Sequence, residues 1–154
     1  MDKPGTQDFD LEGFLPYLLN QAAEATSKSF HDTYKAAYGM TRTQWRVLAN
    51  LGKFGSMTAR DICTISHIEK TKVSRAVAAL EAEGLLSRSI SPLDRRAEIL
   101  CLTERGRVVF ADLGQRAIDY DRSLRAKIGP EIAAQLDDLL RRIIAEGNPD
   151  GDDD

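Results

Sequence analysis

A helix that stops at a glycine and passes at once into two strand-like runs constrains the fold of this chain more than any other feature. From about Glu69 to Glu83, the residues Val73, Val77 and Leu80 fall at helical spacing, and Gly84 is a natural C-terminal stop. The runs "LLSRSI" and "AEILCLT" follow, joined by "SPLDRR", whose Ser, Pro and Asp favour a turn. Ahead of this helix lie two shorter helical patterns, each with a start signal. Thr41 and Gln44 have capping-box spacing before Trp45, Leu48 and Leu51; Thr58 and Asp61 have it before a helix that turns Ala59, Ile62 and Cys63 inward. "GKFGS" breaks the pattern between them, and "TISHIE" turns the second into the third.

Two short helices, a tight turn, a third helix and a hairpin make a winged helix-turn-helix, in which the second helix of the motif enters the major groove of double-stranded DNA. The face opposite Val73, Val77 and Leu80 presents Thr71, Ser74, Arg75 and Ala78. Arg75 can give two hydrogen bonds to a guanine edge, Thr71 and Ser74 can bond bases or phosphates, and Ala78 can touch a thymine methyl. Lys70 and Lys72 flank this face and suit phosphates, which fix register without reading sequence. Taken alone, the helix fits a solvated amphipathic helix equally well; the hairpin behind it tips the reading towards DNA. The charge distribution agrees. Between Arg42 and Arg107 there are twelve Lys or Arg against seven Asp or Glu, a net of +5, while the remainder holds nine against seventeen, a net of −8, within an overall −3. A basic segment between acidic flanks is what a single phosphate-facing surface requires.

The chain ends are helical too. Leu15, Leu18, Leu19, Ala22, Phe30, Tyr34 and Ala37 form a stripe from Leu15 to Tyr38, with Pro16 in the first turn and Gly39 at the end. From Thr103, a candidate N-cap, a second stripe runs through Val109, Phe110, Leu113, Ala117, Tyr120, Leu124 and Ile128 until Gly129 and Pro130 break it. A last helix sets Ile132, Leu136, Leu139, Leu140, Ile143 and Ile144 on a wide apolar face before Gly147. These faces exceed what a three-helix core with a hairpin can cover. They imply a partner, most simply a second copy of the chain. The tail "GNPDGDDD" reads as a disordered acidic end.

Other classes fare poorly. No apolar run approaches the roughly 18 residues of a membrane-spanning helix, and "MDKPGTQDFDLEG" lacks a basic region followed by an apolar stretch, so the expectation is a cytoplasmic protein without a membrane partner. Cys63 and Cys101 stand far apart, with no C-x-x-C spacing and no Cys/His cluster, which points to reduced thiols and no metal. Neither a nucleophile with its base, nor a carboxylate pair, nor a glycine-rich phosphate loop is evident, so neither an enzyme nor a cofactor is expected. The competing class is a winged-helix protein-interaction module, which would not need Arg75, Arg95 and Arg96 on its reading elements.

With "IEKTKVSRAVAALEAEGLLSRSISPLDRRAEILCLTERG" in view, the chain resembles the MarR family of bacterial transcription regulators over nearly its whole length. The "DRR" wing together with "LTERG" is the specific part of the match. The expected fold class is therefore mainly α with a small β-hairpin wing: a winged helix-turn-helix domain plus N- and C-terminal dimerisation helices. The expected divisions are a dimerisation helix with a flexible start within 1–40, the DNA-binding domain at 41–103, C-terminal dimerisation helices at 104–147 and the tail at 148–154. The resemblance implies a homodimer acting as a repressor on a pseudo-palindromic operator, with half-sites in consecutive major grooves. It also implies that Arg96 enters the minor groove, that Asp94 pairs with it and shapes the loop, and that Arg95 meets a phosphate. An exposed ion pair at a turn is the alternative for these three. Lys72 stands where many relatives carry a threonine, and Ser66 with His67 replace more usual small turn residues; both bear on operator sequence rather than on fold.

Many relatives bind a small aromatic or phenolic effector between the dimer helices and the winged domain, with loss of DNA affinity. The residues that would line such a cleft here are Tyr17, Phe30, His31, Tyr34, Tyr38, Trp45 and Arg46. His31 could bond a phenol and Arg46 a carboxylate. Aromatic residues at helical spacing equally fit a packed core, so both readings stay open. The oxidant-sensing branch of the family uses a cysteine in the first helix, and this chain has none before Gln44.

Overall fold

The computed structural model describes residues 8–147; the first residues and the acidic tail expected at 148–154 lie outside the described residues. The chain through Leu113 forms one compact unit and the chain from Gly114 a second. The elements run α1 (Leu15–Tyr38), α2 (Arg42–Phe54), β1 (Met57–Thr58), α3 (Ala59–Ser66), α4 (Lys70–Ala82), β2 (Leu86–Ile90), β3 (Glu98–Leu102), α5 (Glu104–Ile128) and α6 (Pro130–Gly147). No described helix is long and apolar enough to cross a membrane.

In the first unit the start signals act as their spacing dictates. Thr41 Oγ1 accepts from the Gln44 backbone and Gln44 returns the bond at the head of α2; Thr58 and Asp61 do the same for α3. Each box satisfies two of the backbone N–H groups that a helix start leaves unpaired. Helix α4 lies against α2 and α3 and buries Val73, Ala76, Val77 and Leu80. These join Val47, Leu48, Leu51, Ile62 and Leu100 in one core. On α3 the expected inward set is corrected. Ile62 and Ser66 are buried, whereas Ala59 and Cys63 remain half-exposed; Ser66 meets Arg46 and Asn50 of α2, and Cys63 sits about 100° round from Ile62.

Two strands were expected and three form, in the order β1–β3–β2, all antiparallel. Met57 pairs with Leu100 and Thr58 with Ile99. A two-residue strand has no alternation to detect, and it arises because Thr58, as N-cap, is already extended at φ −82° and ψ 159°. The hairpin places Leu86 opposite Leu102 and Arg88 opposite Leu100.

The join between α4, β2 and α5 is unusually close. Gly84 takes φ +76°, a left-handed conformation open to glycine. Its carbonyl accepts from Thr103 Oγ1 at 2.6 Å, and the same hydroxyl accepts the Gly106 N–H at 3.0 Å, making Thr103 the N-cap of α5. Thr103 N–H donates to the Leu85 carbonyl at 3.1 Å. At Gly106 a β-carbon would lie 2.0 Å from that carbonyl oxygen, so only glycine fits. The "TERG" stretch thus has a packing role beyond its helix signal.

The second unit holds the rest of α5 and α6, parted by Gly129. Arg125 donates to Asp121 at 2.8 Å and to Asp137 at 2.7 Å, tying the two helices together. The pair raises the guanidinium pKa, with the Asp137 bond the larger cause. Ile118, Ile132, Leu136, Leu139, Ile143 and Ile144 are all exposed.

Candidate nucleic-acid interface

Burial of Val73, Ala76, Val77 and Leu80 leaves Lys70, Thr71, Lys72, Ser74, Arg75 and Ala78 exposed on α4. The structure divides this set. Lys72 and Arg75 border a shallow groove of about 320 Å³ with Thr41, Thr43 and Gln44 of the α2 start. Ser74 lies on the other side, in a concavity of about 610 Å³ bounded by the wing residues Asp94, Arg95 and Arg96 and by Thr58 and Arg60 at the head of α3. Lys70, Lys72, Arg75, Arg60, Arg95 and Arg96 are exposed, and none of them is paired with a carboxylate among the described residues.

Arg60 was missed from the sequence. The signal was present in the Thr58–Asp61 box, which places residue 60 in the first turn of the helix that precedes the reading helix, where this motif crosses the phosphate backbone.

The wing is held by its own backbone. Ser91 N–H donates to the Ala97 carbonyl at 3.0 Å and Ala97 N–H to the Asp94 carbonyl at 3.1 Å. Ser91 Oγ accepts from the N–H groups of Leu93 and Asp94. Asp94 Oδ1 accepts the backbone N–H of Arg96 at 2.9 Å. This corrects the expected pairing: the carboxylate shapes the turn through the main chain and leaves the guanidinium of Arg96 free of it, since an aspartate two residues ahead closes an Asx-type turn most easily on the N–H.

Arg88 plays a different part. Its guanidinium reaches Glu98 on β3 at 3.0 Å and Glu81 on α4 at 3.1 Å, clipping the root of the wing to the reading helix. The bond to Glu98 leads in raising its pKa, with Glu81 adding to it.

The residues expected to line an effector cleft come together only in part. Phe30, Tyr34 and Trp45 form an aromatic cluster, with Phe30–Trp45 ring centres 5.5 Å apart and Tyr34 stacked on Trp45 at 6.0 Å. Tyr34 is 1% exposed and Phe30 7%, so these two belong to the core. Burial raises the Tyr34 pKa. His31 meets the Tyr34 ring edge-on at 5.2 Å and remains half-exposed. Tyr38 donates to Asp112 at 2.5 Å. Arg46 donates at 2.6 Å to the Ser66 carbonyl, whose side chain accepts from Asn50 at 2.9 Å. Burial and then the neighbouring Arg42 lower its pKa. These bonds brace the turn at His67, which takes φ 53°. A left-handed histidine costs about 1–2 kcal/mol, and the braced turn offsets that cost. Tyr17 stands about 20 Å from Phe30 along α1, outside the cluster.

Residues 38–97 match the model of the MarR family. The chain is 28% identical to the homoprotocatechuate degradative operon repressor of Escherichia coli, over 87% of this chain and 90% of that one. It is 30% identical to SPO1453, a MarR family transcriptional regulator of Silicibacter pomeroyi DSS-3, whose crystal structure superposes with a TM-score of 0.77 over 89% of this chain and 97% of that one. NadR in complex with 4-hydroxyphenylacetate shares the fold at a TM-score of 0.74, 24% identity and 92% and 97% coverage. With its three-stranded winged domain and its matching relatives, the chain belongs to the MarR family of transcription regulators.

Proposed function

We propose that the protein is a cytoplasmic repressor that binds a pseudo-palindromic operator as a homodimer, through a winged helix-turn-helix domain at 41–103 flanked by a dimerisation helix within 1–40 and dimerisation helices at 104–147. The observation that carries this reading is the set of exposed cations on both reading elements, without carboxylate partners among the described residues, around a concavity that spans α4 and the wing. Arg75 reads a guanine edge, Thr71 and Ser74 bond bases or phosphates, and Ala78 meets a thymine methyl. Lys70, Lys72, Arg60 and Arg95 neutralise phosphates, and Arg96 enters the minor groove on a loop that Asp94 shapes. A protein-interaction wing would gain nothing from holding these cations unpaired. The exposed apolar residues at the start of α1, Leu15 and Leu18, and those of α6 support the homodimer.

The test is anisotropy titration of a duplex that the protein itself selects from a randomised pool, against a shuffled duplex, across a salt series. Tight binding to the selected duplex with a steep salt slope supports the reading. Equal affinity for both duplexes overturns it.

A small aromatic acid as the releasing effector is a second element of the proposal. It is favoured by His31 and Trp45, half-buried beside a closed aromatic core, and by a relative named for an operon of homoprotocatechuate degradation. Arg46 would meet the carboxylate through guanidinium N–H groups that the Ser66 carbonyl does not take, so one side chain would join that site to the helix-turn-helix turn.

A further inference from the structure

We infer that Leu93, at the tip of the wing, is an apolar anchor that packs against the deoxyribose walls of the minor groove beside Arg96. The inference rests on the DNA reading above and adds to it a residue without charge. Leu93 is 97% exposed, while the next most open large apolar side chains, Phe9 and Ile90, reach 69%. A single leucine in water is ordinary by itself. This one differs in three respects.

Its backbone is fixed. Pro92 precedes it, its own N–H is held by Ser91 Oγ at 3.3 Å, and the Ser91–Ala97 and Ala97–Asp94 bonds close the loop around it. A side chain presented on a fixed backbone loses less freedom on docking. Next, it serves no packing within the chain, so folding places no demand on its identity. Last, Arg95 and Arg96 follow it within the same turn, exposed and without carboxylate partners among the described residues. A polyanion that draws in these two guanidinium groups brings Leu93 with them.

Of the surfaces such a polyanion offers, the phosphates would lose water to an isobutyl group without gaining a contact, and the major groove is taken by α4. The minor groove has walls of sugar C–H and admits apolar side chains next to arginine. Leucine then contributes in a way that salt does not screen, in contrast to its neighbours.

The test compares full-length wild type with Leu93→Ala, Leu93→Asn, Leu93→Met and Arg96→Ala on the duplex selected by the wild type, over a salt series, with sedimentation of each free protein. Leu93→Ala and Leu93→Asn are expected to bind about tenfold more weakly with an unchanged slope of log affinity against log salt. Leu93→Met should bind like the wild type. Arg96→Ala should also weaken binding and flatten the slope, by about 0.9 for each phosphate charge that is no longer neutralised. Wild-type affinity in both Leu93→Ala and Leu93→Asn, with Arg96→Ala weakened, overturns this inference and leaves the DNA reading intact. A change in the sedimentation of free Leu93→Asn with unchanged DNA affinity overturns it in favour of a contact between proteins. Failure of the wild type to select any duplex removes the DNA reading itself, and this inference with it.

Discussion

The reading surface of α4 and the wing and the outer face of the second unit expose different chemistry. On α4 the apolar side chains Val73, Val77 and Leu80 are inside, while Arg75 on that helix and Arg95 and Arg96 on the wing are outside, without carboxylate partners among the described residues. In the second unit Arg125 is gripped by Asp121 and Asp137, while Ile132, Leu136, Leu139, Ile143 and Ile144 face out. A free guanidinium is ready for an anion without first giving up a partner, and an exposed apolar row is ready for another apolar row. One chain therefore carries two surfaces of different chemistry, one suited to a polyanion and one to apolar contact.

The largest test of that contrast converts one surface towards the other. Leu139→Glu with Ile143→Glu on α6 should abolish the dimer in sedimentation experiments and, by separating two half-site readers, lower operator affinity by about a hundredfold or more. A monomer that still binds as tightly would break the comparison. Next in size is Arg75→Ala, expected to cost on the order of 1 to 3 kcal/mol and to relax preference at one position of each half-site, whereas Lys70→Ala should weaken all duplexes alike. Identical effects of the two changes on selected and shuffled DNA would remove the division between reading and positioning. Arg96→Ala should cost about 1 kcal/mol more on a duplex with A·T-rich flanks than on one with G·C flanks; a zero difference in that two-by-two comparison would place the arginine on a phosphate instead. Smallest of all, Arg88→Ala should lower unfolding free energy by less than about 1 kcal/mol, because its ion pairs are largely solvated. Its sharper signature is a loss of DNA affinity that Glu98→Gln reproduces in part and that is not additive with it.

Much of the first unit was legible because its signals are local. A capping box names both partners within four residues, and Gly84 marks a turn that other residues enter only under strain. The face Thr71, Ser74, Arg75 and Ala78 follows from the 100° step once Val73 is taken as inward. What escaped depends on partners distant in sequence. Met57 and Thr58 become a strand only because β3 lies beside them. Cys63 is turned partly out because the buried side of α3 runs along Ile62 and Ser66, where Arg46 and Asn50 of α2 reach Ser66. Arg46, plausible as a carboxylate receptor, is turned to a carbonyl at the end of α3. Asp94 was placed correctly in the loop, yet which donor it would accept, main chain or guanidinium, is a matter of turn geometry that composition does not carry.

The contact between Gly106 and the Leu85 carbonyl has a consequence for how this sequence can drift. Every amino-acid replacement of a glycine adds at least a β-carbon, so no single coding change at 106 is mild. Gly114, in the same helix, has nothing within 4 Å of the corresponding position and is open to alanine, which favours helix by about 1 kcal/mol. Two helical glycines of equal standing on paper thus face unequal futures. One is fixed for as long as the wing springs from this corner, and the other is free to be lost.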